Sequence, residues 1–272
     1  MKWLKAALAK AALAYIRHMP VARGKVRLAR VLYPLTAGAP ARSVYGPVLA
    51  VDLRDTTLWH SLFGNHDSIQ DVLDHLAEDD IFIDVGANIG LYTILAAQRV
   101  GPGGMVIAVE PSWREFVRLL KNIELNSVHN VLPMYAAASE CTGVARLLVS
   151  DITHAGGNRI LCTSVDGASD NNISDVPMMH LDQLLNGPLE GDRRRIVMKI
   201  DTEGHELSVL KGAANLLGGG RCHFVSVEID NKNLNSHGAD IAQIYEYMEA
   251  NGFSHTHGIM RNKHYDECFS QS

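Results

Sequence analysis

From residue 81 onward, short apolar runs alternate with stretches of helical period. Ile81–Val85, Met105–Val109, Val131–Ala138, Arg195–Ile200 and Phe224–Ile229 read as strands, each bounded by turn residues. Leu91–Val100, Ser112–Asn126, Glu206–Leu217 and Asp240–Asn251 read as helices. Ser112 with Glu115 three positions later predicts a capping box, and Gly218 to Gly220 predicts a helix stop. Ala145–Val149 reads as a short strand and Leu181–Leu185 as a short helix. Residues 150–175, rich in Gly, Ser, Asp and Asn, read as a surface loop. The last apolar pieces, Phe253–Ile259 and Tyr265–Phe269, suit an antiparallel edge. Alternating strands and helices imply an α/β fold with a mainly parallel, doubly wound sheet. Right-handed crossovers then gather the turns after the first, second and fourth strands at one edge.

The chain ahead of this pattern is different. Residues 1–55 read as a helical and irregular N-terminal extension, and residues 56–272 as the main domain. Helix is expected to about Leu32, with a break at Pro20 and a stop before Pro34. Val44–Leu53 suits a strand pair or an irregular strand, and Thr57–Leu76 a helix.

Composition adds exclusions. The chain has 272 residues, of which 47% are hydrophobic and 20% charged, as in an ordinary globular protein of one extended domain. Its net charge of −5 argues against a nucleic-acid partner. The four cysteines, Cys141, Cys162, Cys222 and Cys268, are widely spaced without a CxxC. They suit reduced thiols in a cytoplasmic protein, and no zinc ribbon is expected. No apolar run is long enough to span a bilayer.

Charge is unevenly placed. The first 30 residues hold eight of the 25 basic residues and no acid, and the first carboxylate is Asp52. Trp3, Leu4, Ala7, Leu8, Ala11 and Tyr15 recur at helical spacing in this basic stretch. Such a helix suits packing on the domain or on a second copy in a homo-oligomer. It also suits a peripheral contact of residues 1–30 with an anionic membrane at its inner face. Lys10 interrupts the apolar run, against a cleaved signal peptide.

The candidate chemistry begins at Ile81–Thr93. An apolar run ends at Asp84, a turn with Gly86, Ala87, Asn88 and Gly90 follows, and a helix begins. A second apolar run ends in Glu110, twenty residues past Gly90. This is the layout of a nucleotide site at the first crossover of an α/β sheet. A dinucleotide would set its pyrophosphate on the helix N-terminus, where a neighbouring carboxylate repels it. S-adenosyl-L-methionine carries no phosphate. Asp84 suits its ammonium, the two glycines allow close backbone approach, and Glu110 suits the ribose hydroxyls.

The second concentration is Lys199, Asp201, Glu203, His205 and Glu206, at the end of a strand expected beside the Gly-rich loop. One cap would serve a structural strand end. Five ionisable groups facing a pocket suit proton handling. Part of the set has a structural use: Lys199 can pair with Asp201, and Glu203 can cap the helix.

At these residues the chain resembles the FkbM-type S-adenosylmethionine-dependent methyltransferases. The matching blocks are residues 83–93, 106–111, 119–126 and 199–213, closed by Glu228. The resemblance implies the class I methyltransferase fold, a seven-stranded and mostly parallel sheet with one antiparallel strand near the C-terminus. It implies methyl transfer to a hydroxyl, usually of a sugar, glycolipid, polysaccharide or secondary metabolite. Cofactor contacts are then expected from Asp84, Gly86, Ala87, Asn88, Gly90, Tyr92, Thr93, Glu110, Pro111 and Asp201. Many methyltransferases hold the adenine amine with an acidic residue after the third strand. Here the run is Ala136-Ala137-Ala138-Ser139-Glu140, so Ser139, Glu140 or backbone alone takes that place.

For catalysis the candidates are Asp201, Glu203, His205, Lys199 and Glu228. His205 is the base suggested by its ordinary pKa. Asp201 or Glu203 can instead take the proton, Lys199 can keep Asp201 ionised, and Glu228 can support Lys199 or meet the acceptor. No resident metal is expected, although Asp201, Glu203 and Glu228 offer oxygen ligands for a divalent cation. Trp59, His60, Asn65 and His66 precede the first strand and either roof the acceptor pocket or pack on it. Two further functions compete: a nicotinamide-dependent oxidoreductase, which Asp84 and Asn88 disfavour, and a cofactor-binding module without catalysis.

Overall fold

A computed structural model of the chain describes residues 23–64, 67–161, 172–256 and 264–271, together with residues 11, 14 and 15. The expected break at Pro20, Asn65 and His66, and most of the basic stretch before residue 23 lie outside the described residues.

The first described element is helix α1 (Arg23–Thr36). It does not stop before Pro34 but carries that proline in its last turn, where the ring removes a single backbone donor. Strands β1 (Pro40–Arg42) and β2 (Val48–Ala50) form an antiparallel hairpin. The expected helix over Thr57–Leu76 is two helices, α2 (Thr56–Phe63) and α3 (Asp67–Asp74). Gly64 ends the first in an extended conformation. Asp55 starts it by accepting from the N–H groups of Thr57 and Leu58.

The main body alternates as the sequence pattern predicts: β3 (Ile81–Val85), α4 (Leu91–Val100), β4 (Met105–Val109), α5 (Trp113–Asn126) and β5 (Val131–Met134). The expected capping box at Ser112 is absent. Its hydroxyl bonds the Glu115 carboxylate directly and makes no cap hydrogen bond to the helix backbone. Strands β6 (Ala137–Ser139), β7 (Gly143–Leu148), β8 (Arg159–Ile160) and β9 (Ile173–His180) follow, then α6 (Leu181–Asn186). The second half of the main sheet runs β10 (Ile196–Ile200), α7 (Glu206–Gly212), α8 (Ala214–Gly218), β11 (Cys222–Asp230), α9 (Asn231–Ser236), α10 (Ile241–Ala250), β12 (Phe253–His255) and β13 (His264–Gln271). The helix expected over Glu206–Leu217 is thus divided at Ala213.

Seven strands form one sheet in the order β5-β4-β3-β10-β11-β13-β12. β13 runs antiparallel to both neighbours, and the pairs from β5 to β11 are parallel. This is the class I methyltransferase order. β3 and β10, at its centre, are buried at every position, as a sheet covered on both faces requires.

Of a second sheet, in the order β6-β9-β7-β8, the sequence pattern gives β7, at the expected short strand Ala145–Val149, but not the sheet as a whole. The expected single strand Val131–Ala138 is divided between the two sheets, β5 in one and β6 in the other. Part of the expected loop 150–175 is ordered as a 3₁₀ turn, Ile152–Gly157, and strand β8. The N-terminal hairpin is not a loose appendage either. Leu49, Val51, Leu53, Leu58 and Leu62 share one apolar cluster with Ile89, Leu91, Ile94 and Leu95 around the Gly-rich turn. Asn122 and Asn126 of α5 accept from the backbone of Ala50 and Val48, so helix side chains pair the free edge of β2. No helix among the described residues is long and apolar enough to cross a membrane.

Candidate active site

The C-terminal ends of β3, β4, β10 and β11 open into a cavity of about 520 Å³, the size of a small-molecule site. Its donor half is built around two buried carboxylates. Asp84 lies one residue before the end of β3 and accepts the Thr93 hydroxyl at 2.6 Å, and burial raises its pKa. Glu110 follows β4. Its two oxygens accept from the backbone of Asn88 (2.8 Å) and Ser112 (2.7 Å), and burial pushes it up to about 8. Both would gain by meeting hydrogen-bond donors or a cation in the cavity.

The turn between them needs its glycines for different reasons. At Gly86 φ is +83°, and a Cβ would stand 1.7 Å from the Asp201 carbonyl oxygen. At Gly90 a Cβ would press on the Leu119 side chain, so that glycine seats α4 against α5.

The other half belongs to β10 and β11. Lys199 is buried, and its ammonium donates to Asp201 at 2.6 Å. The same ammonium lies 4.7 Å from the centre of the Tyr92 ring. Glu203 stands in the left-handed region, φ +55°, and its carboxylate accepts from the Asn233 amide at 2.7 Å. Burial, with Asp201, Glu206 and Asp230 nearby, raises Glu203 to about 8. Glu206 serves the loop instead. One of its oxygens accepts from the N–H groups of Thr202 and Gly204 and tightens the turn between them. Glu228 on β11 is also raised, by burial first and then by Asp201 and Glu203. Carboxylate oxygens of Asp201, Glu203 and Glu228 lie within 4.8 Å of one another.

His205 lines the cavity, but its Nε2 is 3.0 Å from the Ser139 hydroxyl. Burial and the neighbouring His237 lower its pKa to about 4. The ordinary pKa that recommends it as a base is therefore lost in the folded protein.

Of the candidates from sequence, Asp84, Gly86, Ala87, Asn88, Tyr92, Glu110, Pro111, Lys199, Asp201, Glu203, His205 and Glu228 share this cavity. Gly90, Thr93 and Ser139 stand behind its wall: Gly90 on Leu119, Thr93 on Asp84, Ser139 on His205. Glu140 is exposed and accepts from Ser208. The wall after the third main strand is Ala136, Ala137 and Ala138, which offers backbone and small apolar surface. His60 lines the cavity, whereas the Trp59 indole donates to the Leu53 carbonyl at 3.0 Å. Ser68, Asn158 and Asp266 also reach it, and sequence reasoning missed all three. Each comes from a segment without a motif, brought in by long-range packing.

Residues 84–254 match the family model of the methyltransferase FkbM domain. The chain belongs to the FkbM methyltransferase family. It is also similar to the hexuronic acid methyltransferase AglP of Haloferax volcanii, 32% identical over 168 residues. That match covers 62% of this chain and 63% of the relative, so it spans less than two thirds of the relative's length. Among solved structures, a precorrin-6y C5,15-methyltransferase from Geobacter metallireducens is 15% identical, with a TM-score of 0.43, covering 75% of this chain and 87% of that one. Aeropyrum pernix fibrillarin with bound S-adenosyl-L-methionine is 11% identical, with a TM-score of 0.40, covering 71% and 67%. The segment shared with the FkbM domain holds both carboxylates of the donor half and the Lys199–Glu206 block. Thr57, His60, Ser61, Ser68 and Asp266 line the cavity from outside it.

Proposed function

We propose that this FkbM-family chain is an O-methyltransferase that moves a methyl group from S-adenosyl-L-methionine to a hydroxyl of a sugar unit. The carrying observation is the pair of buried carboxylates, Asp84 and Glu110, flanking a turn whose Gly86 has no room for a side chain. This donor set fits the cofactor. Asp84 would hold its ammonium, Glu110 its ribose hydroxyls, and Pro111 with Ala136–Ala138 the faces and edge of the adenine. A pyrophosphate in the same place would meet two carboxylates, which disfavours a nicotinamide cofactor.

When bound, the cofactor supplies an electrophilic methyl group whose bond to sulfur breaks as the acceptor oxygen bonds to it. The residues of this chain supply position and a proton acceptor. Glu203 is the base we assign. Its pKa of about 8 lies near neutrality, where a proton acceptor is most effective, and the Asn233 amide holds it in place. Asp201, fixed by Lys199, orients the acceptor hydroxyl, and Glu228 lies within reach of both carboxylates. His205, neutral and tied to Ser139, is wall rather than base.

A sugar acceptor is supported by the relative's name and by the polar side chains of His60, Ser61 and Ser68 facing the cavity. The test is calorimetry with S-adenosylhomocysteine and with NAD, followed by tritiated methyl transfer to polysaccharide and glycolipid fractions of the host. Binding of the first ligand and label in a glycan support the proposal. Preference for NAD, or label in no glycan fraction, rejects it. A peripheral membrane contact through residues 1–30 is a separate proposal, resting on their acid-free basic sequence. Equal binding to anionic vesicles with and without residues 1–20 rejects it.

A further inference from the structure

Tyr92 sits two residues after Gly90, at the start of α4. Position in the motif suggests a cofactor contact, but its partners in the fold are elsewhere. The ring lies against the Lys199 ammonium, 4.7 Å from Nζ to the ring centre. The hydroxyl shares a 2.7 Å hydrogen bond with Ser68 of α3. Both residues line the cavity.

Lys199 has four carboxylates within electrostatic reach, Asp84, Asp201, Glu228 and Asp266, and two of them are its neighbours along the strands. Asp84 is its register neighbour across the β3–β10 pair, and Asp201 lies two positions on along its own chain. The ion pair forms with Asp201, while the Thr93 hydroxyl donates to Asp84. An aromatic face attracts a cation, most strongly where water is excluded. Lys199 is 3% exposed, so the ring is one of the few groups that stabilise its charge at that spot.

We propose that Tyr92 is a positioning residue of the methyl-transfer site. Its ring holds the Lys199 ammonium against Asp201 and so leaves Asp84 to the donor's ammonium. Its hydroxyl ties that arrangement to Ser68. This rests on the methyl-transfer reading above. It also gives the hydroxyl a meaning. Ser68 lies outside the segment shared with the FkbM domain, so Tyr92 links shared machinery to a wall formed by the N-terminal part of this chain.

Burial alone would make the Lys199 ammonium lose its proton easily. Asp201, the Tyr92 hydroxyl, Asp84 and Asp266 together outweigh that effect and hold its pKa above the ordinary lysine value, so the group stays charged in the folded chain. The ring face over the ammonium is a separate contact, and weakening its negative charge should loosen the hold on the ammonium.

The experiment uses the full chain with phenylalanine, or fluorinated phenylalanines of increasing fluorine content, at position 92. These keep the ring's shape and weaken its attraction for a cation stepwise. Lys199 is followed by the exchange of its ammonium protons with water, read by nitrogen NMR in lysine-labelled protein at one pH where the group stays charged. S-adenosylhomocysteine affinity is measured beside it. We expect Tyr92→Phe to leave the Lys199 proton exchange and S-adenosylhomocysteine affinity within about twofold of the parent, since the ring face survives. The fluorinated series should speed that exchange progressively, and kcat should fall with it about tenfold by the most fluorinated member. Tyr92→Leu should resemble that member.

Unchanged Lys199 proton exchange across the fluorinated series overturns the proposal. So does a loss of more than about tenfold in S-adenosylhomocysteine affinity for Tyr92→Phe, which would make the hydroxyl a cofactor ligand. If the parent chain transfers no methyl group to any glycan, the methyl-transfer reading fails by itself. The NMR series then still decides whether Tyr92 holds Lys199.

Discussion

Gly86 and Asp201 meet backbone to backbone across the centre of the sheet: a Cβ on Gly86 would stand 1.7 Å from the Asp201 carbonyl oxygen. The Gly-rich turn and the Lys199–Glu206 strand end are thus in direct backbone contact. Gly86→Ala must push them apart and place a side chain at φ +83°. We expect a loss of about 2–4 kcal/mol in stability by denaturant unfolding, from left-handed strain plus overpacking. Methyl transfer should vanish even where the variant folds.

Glu203→Gln should lower kcat about 100-fold or more while S-adenosylhomocysteine affinity stays near its original value. In the parent, kcat should rise with pH through about 8, because Glu203 accepts a proton only when ionised. Loss of that rise in the variant's pH profile is the diagnostic. A Glu203→Gln variant with normal kcat would remove Glu203 from the mechanism.

His205 acts in the opposite direction, on stability. The folded protein keeps it neutral down to about 4, while the unfolded chain protonates it near the ordinary value of 6.5. Between those values the unfolded state binds more protons, so this residue makes stability fall as pH falls from 6.5 toward 4. Replacement by Gln should flatten that part of the pH–stability curve. It should also cost less kcat than Glu203→Gln, as measured in the same transfer assay.

Glu110→Gln keeps the shape of the side chain but loses one acceptor. Its oxygens take two backbone N–H groups, those of Asn88 and Ser112. The amide would turn an NH₂ toward one of them. We expect S-adenosylhomocysteine to bind about 10–100-fold more weakly by calorimetry, with a smaller effect on unfolding.

Asn122 is buried and joins three elements. It accepts from Ala50 N–H at 2.7 Å and donates to the Ile89 carbonyl at 2.7 Å, so it ties the hairpin and the donor turn to α5. Asn122→Ala leaves both backbone groups without that partner. A loss of about 2–4 kcal/mol in unfolding free energy is expected.

The donor half is legible from residues 81–110 because strand, turn and helix there are consecutive. Local spacing alone brings Asp84, Gly86 and Glu110 to one sheet edge. The strand end at Lys199–Glu206 is legible for the same reason. His205 reads as a base of ordinary pKa in the sequence, whereas in the fold burial and the sequence-distant His237 lower that pKa to about 4, which no local spacing foretells. Apart from β7, the second sheet escapes a sequence reading because β6 continues the apolar run of β5 and because β8 lies in a segment of loop-like composition. Gly90, Thr93 and Ser139 carry motif-like positions but stand one layer behind the cavity.

Sequence by itself determined the alternation of strands and helices in the main sheet, the donor turn and the identity of the charged groups around it. Periodicity, glycine positions and short-range spacing act within a few residues and need no partner. Tertiary structure alone decided that the Tyr92 ring lies over the Lys199 ammonium, which groups keep their protons, and that Ser68 and Asp266 close the cavity. Those outcomes depend on burial and on contacts between distant segments. Desolvation, the strongest influence on these pKa values, exists only after the chain has packed.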